Sequence, residues 1–590
     1  MPKPKHYRRY FMQCPVTLIR FTLILGLAAS VTLPILAANG ATPDFGPNVL
    51  VFSPSMQASA IQEQIDKVYA IQQHNEFGPE RNALLFLPGD YKVDLPVGFY
   101  TQVIGLGANP DAVHITGNVH ADASLPRNNA TCTFWRAAEG FSVTPTGGIN
   151  GTMQWAVSQA VSFRRMHVRG SMVLHQNGWA SGGWMADSLV DGNVGSGPQQ
   201  QWISRNSEWG SWTGANWNMV FVGVKEPPPG EWPAPPYTKV AETPIVREKP
   251  FLQIDSQGRF SVRVPSIQKD SSGVTWRGGS TAGTTIPIER FYVARPGVDT
   301  AATINAQLAK GKHLLLTPGI YEITEAIRVT RPNTVVLGLG FATLRPVNGN
   351  AAMSTADVDG IVVAGLLFDA GPAYSPILFQ VGLEGSKTRH AANPISLHDV
   401  FFRVGGAGVG RAGVNLRIDA NDTIVDHTWI WRADHGSGVG WASNPSASGL
   451  VVNGDRVTIY GLFVEHHQEF QVLWNGNHGR TYFYQSEIPY DPPDQPSYTS
   501  AAGTNGWASY KVADSVTSHE AWGLGVYSVF RHPNVTLSHA IETPKRPGVK
   551  FHHMITVCLD DKGEISNVID DAGGPTSIKP RVTPKVAEFP

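Results

Sequence analysis

Three glutamates in the second half of the chain are the residues best suited to chemistry. Glu465, Glu469 and Glu487 lie in aromatic, weakly charged surroundings. Glu465 and Glu487 are 22 positions apart, about one coil of a coiled β-structure, so they could lie on neighbouring rungs of one groove. A carboxyl beside Phe483 and Tyr490 is expected to be partly desolvated, which raises its pKa and suits a general acid. Two carboxyls in a groove of sugar size are the minimal apparatus of a glycosidase.

The same residue types allow a purely structural interpretation. The glutamates could cap turns or form ion pairs with Arg432 and Arg480. Four tryptophans lie in the same region, where some belong to the core and others could stack on sugar rings through their large apolar faces. Sequence does not sort these four residues, which are Trp429, Trp431, Trp441 and Trp474.

No motif in the sequence indicates a metal, a nucleotide or another cofactor. His466 and His467 are adjacent, and adjacent residues of a strand point to opposite faces, so they cannot easily bind one ion. Neither HExxH, CxxC nor GxxxxGK[ST] occurs. The formal net charge is −1, so there is no basic excess to neutralise nucleic-acid phosphates. We therefore expect no cofactor, no metal and no nucleic-acid partner.

An internal sequence duplication predicts the elements that must position these glutamates. AIQEQI (60–65), LLFLPGDY (84–91) and VIGLG (103–107) return in the same order as TINAQL (303–308), LLLTPGIY (314–321) and VLGLG (336–340). Each copy predicts a short helix, a buried strand, a Pro-Gly turn and a second strand. Two similar domains side by side create a cleft, and clefts between domains are where ligand sites tend to lie.

Both copies open a long series of short strands. Strand-like segments separated by Gly, Asn and Asp recur every ~20–35 residues across 42–224 and 291–560, a pattern typical of solenoids. A β-sandwich would place hairpins every ~8–12 residues, and a propeller would have more clear copies. A chain of 590 residues is also too long for one core. The sequence predicts an all-β fold with two tandem parallel β-helix domains.

The remaining segments complete the predicted domain organisation. Basic residues before an apolar run at 21–36 indicate a signal peptide over 1–38, hence a secreted protein without a membrane anchor after cleavage. Residues 225–290 open with KEPPPGEWPAPP and are expected to form an ordered connector with a hairpin at 251–265. Residues 571–590 lack periodicity and are predicted to be a flexible tail. Cys132 and Cys558 could form a disulfide, which sequence leaves open.

Three stretches of the chain resemble motifs of one known protein family. TMQWAVSQAVSFRRMHV (152–168) resembles the family's Trp-x-x-x-Gln-Ala-x-Ser stretch, and ASGGWMADSLVDGNVGSGPQQQWISRN (180–206) resembles its Ser-Gly-Gly-Phe-Met-x-Asp segment followed by Gln-Gln-x-x-x-Arg-Asn. YQSEIPYD (484–491) resembles its Gln-Thr-Glu-Thr-Pro-Tyr-Tyr motif. The matches fall in both halves, which agrees with the duplication. The family that they resemble is glycoside hydrolase family 55, exported β-1,3-glucanases built from two tandem right-handed parallel β-helices.

The resemblance implies an inverting, exo-acting mechanism. Glu487 matches the general acid, Glu465 matches a second acidic residue on the water side, and Gln159 matches a first-domain glutamine that reaches the site across the domain interface. The residues expected to bind substrate are Gln485, Tyr490, Trp474 and Asp491. Asp491 and Ile488 depart from the motif, which has Tyr and Thr there, so the bound sugar could differ.

One tension concerns distance. Strands on adjacent rungs lie ~4.8 Å apart, whereas the carboxyls of inverting glycosidases are ~6.5–9.5 Å apart. Splayed side chains or an offset along the strand would resolve the difference.

The sequence therefore favours a secreted glycoside hydrolase that cleaves β-glucan, β-1,3-linked and from a chain end, as a monomer acting on a polysaccharide or oligosaccharide. One alternative is a polysaccharide lyase, although Ca²⁺ ligands or a Lys/Arg base in a basic groove do not stand out. A second alternative is a non-catalytic carbohydrate-binding β-helix protein, which would tolerate the loss of Glu487.

Overall fold

The computed structural model describes residues 43–147 and 151–590, so the predicted signal peptide at 1–38 lies outside the described residues. The helices in this part of the chain are α1 (Ala58–Gln72), α2 (Ala301–Ala309) and short 3-10 turns at Pro110–Ala112, Ile288–Arg290 and Pro496–Tyr498. In the described ranges, none of these helices is long and apolar enough to cross a membrane. Nearly all other regular structure is β-strand.

The strands of the first unit are short. They are β1 (Val49–Phe52), β2 (Asn82–Phe86), β3 (Gly89–Lys92), β4 (Leu95–Pro96), β5 (Thr101–Gly105), β6 (Val113–Gly117), β7 (Val119–His120), β8 (Arg136–Glu139), β9 (Ser142–Pro145), β10 (Met153–Gln154), β11 (Val161–Arg164), β12 (His167–Val168), β13 (Met172–Val173), β14 (Trp184–Ala186), β15 (Leu189–Gly195), β16 (Gln201–Arg205), β17 (Glu208–Thr213), β18 (Asn218–Val222) and β19 (Tyr237–Val240).

The connector and the second unit follow. The connector strands are β20 (Thr243–Arg247), β21 (Phe251–Ile254), β22 (Phe260–Pro265), β23 (Ile267–Ser271) and β24 (Gly283–Pro287). The later strands are β25 (Phe291–Ala294), β26 (His313–Leu316), β27 (Ile320–Ile323), β28 (Ile327–Val329), β29 (Val335–Pro346), β30 (Met353–Thr355), β31 (Val362–Asp369), β32 (Ser375–Val381), β33 (Ser396–Val404), β34 (Ala412–Ile418), β35 (Ile424–Arg432), β36 (Ser446–Val452), β37 (Thr458–Glu465), β38 (Val472–Trp474), β39 (Gly479–Glu487), β40 (Tyr510–Val512), β41 (His519–Ser528), β42 (Thr536–Glu542), β43 (Val549–Cys558), β44 (Glu564–Ile569), β45 (Ser577–Ile578), β46 (Arg581–Val582) and β47 (Lys585–Phe589).

The predicted pair of β-helices is confirmed by the strand order. The first unit has a nine-stranded sheet, β1-β2-β5-β8-β11-β14-β16-β18-β19, and an eight-stranded sheet, β10-β13-β15-β12-β9-β6-β3 with β17 beside β15. The second has a twelve-stranded sheet, β25-β26-β29-β31-β33-β35-β37-β39-β41-β43-β47 with β27 beside β29, and a nine-stranded sheet, β28-β30-β32-β34-β36-β38-β40-β42-β44. Successive strands of each sheet therefore come from successive coils.

The duplicated sequence blocks adopt the same local structure in both units. α1 buries Ile61 and Ile65, and α2 buries Ile304 and Leu308, in each case one helical turn apart. Tyr91 donates its hydroxyl hydrogen bond toward the carbonyls of Phe52 and Leu87, which lie 3.0 and 2.7 Å away.

Tyr321 makes the matching contacts in the second copy. Its hydroxyl lies 2.7 Å from the Ala294 carbonyl and 3.0 Å from the Thr317 carbonyl. The two Pro-Gly turns are alike as well, because Gly89 and Gly319 both have positive φ, 142° and 152°. A side chain at either glycine would collide with a proline of the preceding segment. The two copies thus match at the Pro-Gly turn and at the buried tyrosine that follows it.

The two units bury an aromatic interface between the nine-stranded sheet of the first and the twelve-stranded sheet of the second. Trp135 packs edge-on against Phe401 at 6.1 Å, and Trp184 stacks on His427 at 5.1 Å. Gly461 has positive φ, 64°, and a side chain there would strike the Trp184 ring. This close approach fixes the two units face to face.

Buried ion pairs cross the same interface. Arg164 contacts Asp399 at 2.9 Å and Asp426 at 2.7 Å, and Arg205 contacts Asp426 at 2.8 Å. The connector joins this network through Lys249, which lies 2.9 Å from Asp399. Buried charges of this kind require their partners, because an unpaired buried charge is strongly destabilising.

The connector is ordered, but its boundary differs from the prediction. β21 and β22 form the predicted antiparallel hairpin at 251–265. The Pro-rich stretch, however, leads into β19, which pairs in parallel with β18 and adds a strand to the first unit. The first unit therefore extends beyond residue 224 to Val240, because the turn after β18 returns the chain to the same sheet.

The predicted flexible tail at 571–590 is instead folded. β45 and β46 form a small hairpin, and β47 pairs antiparallel with β43. Val586 and Phe589 pack against the core of the second unit, which offsets the cost of ordering this segment. Cys132 and Cys558 are both buried and do not form a disulfide with each other in this part of the chain.

Candidate active site

The two candidate carboxylates lie on neighbouring rungs, as predicted. Glu465 is the last residue of β37 and Glu487 is the last residue of β39, and the two are register partners in the twelve-stranded sheet. This sheet is the one that faces the first unit. The coiled backbone therefore places both carboxyls at the same end of adjacent strands, at the interface between the units.

Glu465 is buried and receives two hydrogen bonds. The Gln159 amide donates to Oε1 at 2.7 Å, and the Trp429 indole N–H donates to Oε2 at 2.9 Å. The pKa of Glu465 is raised to about 7, chiefly by burial and also by the charge of Asp434, while the side chains of Gln485, Trp429 and Gln159 oppose the rise. Donated hydrogen bonds stabilise the charged carboxylate, so Glu465 is held ready to accept a proton.

Glu487 has a different environment. It is half-buried, and the Tyr490 hydroxyl donates a hydrogen bond to its Oε2. Desolvation raises the pKa of Glu487 well above its usual range, and the charges of Glu465 and Asp434 raise it further, against an opposing effect of His435. Negative neighbours and desolvation both favour the protonated acid.

The pair thus divides into two chemical roles. The hydrogen bonds donated to both oxygens of Glu465 hold its pKa at about 7 against burial, whereas the pKa of Glu487 is raised well above its usual range, so Glu465 ionises before Glu487. Titratable groups whose surroundings push their protonation states apart supply an acid and a base at one pH. This arrangement can protonate a leaving group and accept a proton from water at one place in the interface between the units.

Gln159 comes from the first unit and is fixed in orientation by its neighbours. It precedes β11, is only 3% exposed, and is followed by Ala160 with a positive φ of 53°. The Ser158 hydroxyl contacts the amide oxygen of Gln159, so the amide nitrogen is the group that faces Glu465. The prediction that Gln159 reaches across the domain interface to the carboxylates is supported by this contact.

Two further predicted residues lie beside the carboxylates. Tyr490 packs against the His466 ring at 4.4 Å besides contacting Glu487. Gln485 is fully buried next to Glu465 and lowers the pKa of that carboxyl, although its amide makes no hydrogen bond of standard geometry. Both residues therefore shape the carboxylate environment.

Asp491 is occupied by an ion pair. Its two oxygens accept hydrogen bonds from Arg432, both at 2.8 Å. Burial acts against ionisation, but Arg432 prevails and lowers the pKa of Asp491. The aspartate that replaces a tyrosine of the resembled motif thus holds Arg432, whose guanidinium also donates to the His466 carbonyl at 3.1 Å.

The prediction that Trp474 binds substrate is wrong. Trp474 lies on β38, in the other sheet, and its side chain is fully buried in the core of the second unit. Its ring packs on Tyr510 and His519, with centroids 6.2 and 4.6 Å away. Glu469 does not join the carboxylate pair either, since it is exposed in the turn after β37. Periodicity did not reveal which sheet each residue belongs to.

A charged cluster beside the carboxylates was not predicted. Asp434 and His435 follow β35, and the His435 ring lies 2.8 Å from Asp434 through Nδ1 and 2.7 Å from Glu76 of the first unit through Nε2. In the second unit, the adjacent acidic and imidazole side chains of Asp434 and His435 directly after a predicted strand could have indicated site residues. Glu76 carried no such signal, because it is brought near only by the docking of the two units.

His466 and His467 contact separate neighbours. His466 Nδ1 lies 3.1 Å from the Ile488 carbonyl, on the side of the carboxylates. His467 Nδ1 lies 2.9 Å from the Ser446 hydroxyl, toward the other sheet. The predicted divergence of these adjacent rings is confirmed.

Comparison with known proteins gives consistent results. Residues 291–487 match the LAM55 pectate lyase-like domain. An exo-beta-1,3-glucanase from Streptomyces sp. (strain SirexAA-E / ActE) is 48% identical over 551 residues, which cover 93% of this chain and 90% of that protein. The solved structure of sacteLam55A from Streptomyces sp. SirexAA-E superposes with a TM-score of 0.90, covering 93% of this chain and 99% of the other.

A second solved structure, a glutamate-to-alanine variant of sacteLam55A in complex with glucose, gives the same TM-score of 0.90 at 48% identity. The likeness therefore extends over both β-helices and the connector rather than over one domain. On this evidence the chain belongs to glycoside hydrolase family 55.

Proposed function

We propose that this protein hydrolyses β-1,3-glucan from a chain end with inversion of the anomeric carbon. The observation that carries the proposal is the 2.7 Å hydrogen bond from Gln159 of the first unit to Glu465, whose register partner is Glu487. It supports a cleft in which both units build one acid–base apparatus. The similar Streptomyces protein is named an exo-beta-1,3-glucanase, which supports the choice of substrate and of exo action.

Glu487 supplies the proton for the leaving group. Its neutral form is favoured by desolvation and by the charge of Glu465. It donates this proton to the glycosidic oxygen as the bond to the anomeric carbon breaks, and the alcohol group of the released chain departs neutral. General acid catalysis of this kind typically contributes ~10²–10⁴-fold to the rate.

Glu465 accepts the proton of the attacking water. Water adds to the anomeric carbon from the face opposite the leaving group, and its proton passes to Glu465 while the new C–O bond forms. The Gln159 amide keeps Glu465 ionised and oriented for this step. After product release Glu465 carries a proton and Glu487 lacks one, and exchange with solvent restores both.

We further propose that the mature protein is secreted and monomeric. The basic and apolar pattern of residues 1–38 supports export. Mass spectrometry of protein from the culture medium of its host would detect a cleaved N-terminus. Light scattering of the mature protein would measure its mass, and a dimer would contradict the monomer.

The decisive experiment replaces Glu487 with Gln, which keeps the shape and removes the proton donor. Laminarin hydrolysis is expected to fall by ~10²–10⁴-fold. An aryl β-glucoside with a good leaving group needs little protonation and should lose far less activity. Laminarin hydrolysis near the wild-type rate would remove Glu487 from the mechanism, whatever the fold.

The stereochemistry needs a separate measurement. Proton NMR of the first turnovers should detect α-glucose from the β-linked substrate. Initial release of β-glucose would contradict inversion, and accumulation of long oligosaccharides would contradict exo action.

A further inference from the structure

A mixed ligand set lies where the two β-helices meet, next to the carboxylates. Glu76, Cys132 and His435 each offer one ligand atom, and these three atoms all lie within 4.8 Å of one another. Glu76 follows α1, Cys132 precedes β8, and His435 follows β35. A thiol, an imidazole and a carboxylate are the ligand types that Zn²⁺ prefers in proteins.

The imidazole is already oriented as in a metal site. Nε2 of His435 faces Glu76 Oε1 at 2.7 Å, inside the cluster, and Nδ1 faces Asp434 Oδ1 at 2.8 Å, outside it. Metal-binding histidines almost always donate their second ring N–H to a carboxylate, which fixes the tautomer and the ring plane. Asp434 occupies that outer position here.

We propose that Glu76, Cys132 and His435 bind a divalent cation of the zinc class, with Asp434 as the outer carboxylate that orients the imidazole. The ion takes the place of the proton between His435 Nε2 and Glu76, and the Cys132 thiolate closes the third position. A water molecule is the fourth ligand expected of a tetrahedral site with three protein ligands.

Access and surroundings agree with a bound ion. The side chains of Glu76 and His435 keep 15% and 17% of their surface exposed, so solvent reaches the cluster, whereas Cys132 is only 6% exposed. The rings of Phe77 and Trp431 pack on His435 with centroids 5.5 and 5.3 Å away. Aromatic walls around such a site limit water and strengthen the metal–ligand interactions.

The site would tie the two units together. Glu76 and Cys132 belong to the first β-helix, whereas His435 and Asp434 belong to the second. An ion bound only when the two units are docked stabilises the docked state by mass action. This role does not depend on the proposed hydrolysis, so the two proposals can fail separately.

Cobalt(II) is the probe that tests the site, because thiolate coordination gives it near-ultraviolet charge-transfer absorption and a tetrahedral site gives it visible bands. Co²⁺ alone is titrated into metal-free, mature wild-type protein. We expect both absorptions at one equivalent and their loss when Zn²⁺ is added. Absence of the charge-transfer absorption in the wild type would overturn the proposal.

Matched cysteine variants locate the signal. Cys132→Ser should abolish the charge-transfer absorption, and Cys558→Ser, which changes the other buried cysteine of the mature chain, should retain it. The reverse result would also overturn the proposal. If Cys132→Ser fails to fold by circular dichroism, Glu76→Gln decides, because unchanged Co²⁺ affinity in that variant would rule out the site.

The outer carboxylate gives a graded check. Asp434→Asn should retain the spectrum and weaken Co²⁺ binding by ~10–100-fold, the usual cost of removing a carboxylate behind a ligating histidine. Equal binding by this variant and the wild type would contradict the role assigned to Asp434. Thermal unfolding with and without Zn²⁺ should give a higher midpoint with the ion, in the wild type but not in Glu76→Gln.

Discussion

The two β-helices of this protein begin alike and then serve different purposes. Tyr91 and Tyr321 make matching hydrogen bonds, and Gly89 and Gly319 form matching turns. Farther along, the second unit carries both candidate carboxylates at the ends of its strands, whereas Gln159 of the first unit donates an amide hydrogen bond to Glu465. The two units thus share the residues that shape their first turns and differ in the residues that face the opposite unit.

This difference follows from what each residue must satisfy. A residue that fixes a turn or bonds a backbone carbonyl is constrained by its own coil, and the first turns of the two units are alike. A residue in the cleft is constrained by the opposite unit and by the substrate, which differ for the two sides. Backbone likeness between repeats therefore says little about likeness of chemistry.

The strongest test of this asymmetry is Glu465→Gln in the second unit. Because water attack is needed for every substrate, the variant should lose ~10²–10⁴-fold in kcat/KM for both laminarin and an aryl glucoside. This contrasts with Glu487→Gln, which should spare the aryl glucoside. An active Glu465→Gln protein would mean that another group accepts the water proton.

The cores should show symmetry where the cleft does not. Trp155 is buried in the first unit against Phe163, and Trp474 is buried in the second. Replacing either with Ala should reduce the free energy of unfolding by ~3–5 kcal/mol, measured by denaturant titration. KM for laminarin should not change in Trp474→Ala, provided that the assay is run where the variant is folded. A selective rise in KM would restore Trp474 to the substrate site.

The contribution of the first unit to chemistry is expected to be smaller than that of the carboxylates. Gln159→Ala removes a hydrogen bond to a charged group, worth ~1.5–3 kcal/mol, or about 10–150-fold in rate if all of it acts in the transition state. The matched control is Gln154→Ala, since Gln154 bonds Asp122 away from the cleft. Equal activities of the two variants would confine the chemistry to the second unit.

The same variant carries a pH signature. Glu465 must be ionised to accept a proton, so activity is lost as pH falls through its pKa, which lies at about 7. The Gln159 hydrogen bond lowers that pKa. Its removal raises the pKa and should move the acidic limb of the kcat/KM profile to higher pH. An acidic limb that stays in place would contradict a direct effect on Glu465.

The smallest expected effect concerns the repeated hydroxyls. Tyr91→Phe and Tyr321→Phe each remove hydrogen bonds to two backbone carbonyls, and each should lower the free energy of unfolding by ~0.5–1.5 kcal/mol. Activity should not change in either. The energy of one hydrogen bond commonly varies about two- to three-fold with its context. If the two losses in free energy of unfolding differ by more than a factor of about three, the two tyrosines are alike in geometry but not in energy.

Sequence predicted the parts of the molecule that depend on local pattern. The duplicated blocks, the two β-helices, the hairpin in the connector and the placement of Glu465 beside Glu487 all follow from strand spacing, because coils of similar length bring residues one coil apart into register. The role of Gln159 came from the family resemblance, since nothing in its neighbourhood marks it as part of a distant cleft.

Other features of the structure depend on contacts between distant residues, which the spacing of residues in the sequence does not reveal. The prediction for Trp474 was wrong because tryptophan is equally common in a core and in a sugar-binding surface. Only the sheet to which the residue belongs distinguishes the two roles. Glu76 and His435 are far apart in sequence and meet only when the units dock. The end of the chain was judged unstructured because its strand is stabilised by pairing with β43 rather than by its own composition.

That final strand has a consequence for solubility. A parallel solenoid ends in a row of unpaired backbone N–H and C=O groups, a template on which a second molecule can add. β47 covers the last long strand of the twelve-stranded sheet with the opposite chain direction, and its exposed residues include Lys585 and Glu588. We therefore expect β47 to hinder end-to-end aggregation. Deleting residues 585–590 should expose the edge of β43 and promote aggregation without altering the candidate carboxylates.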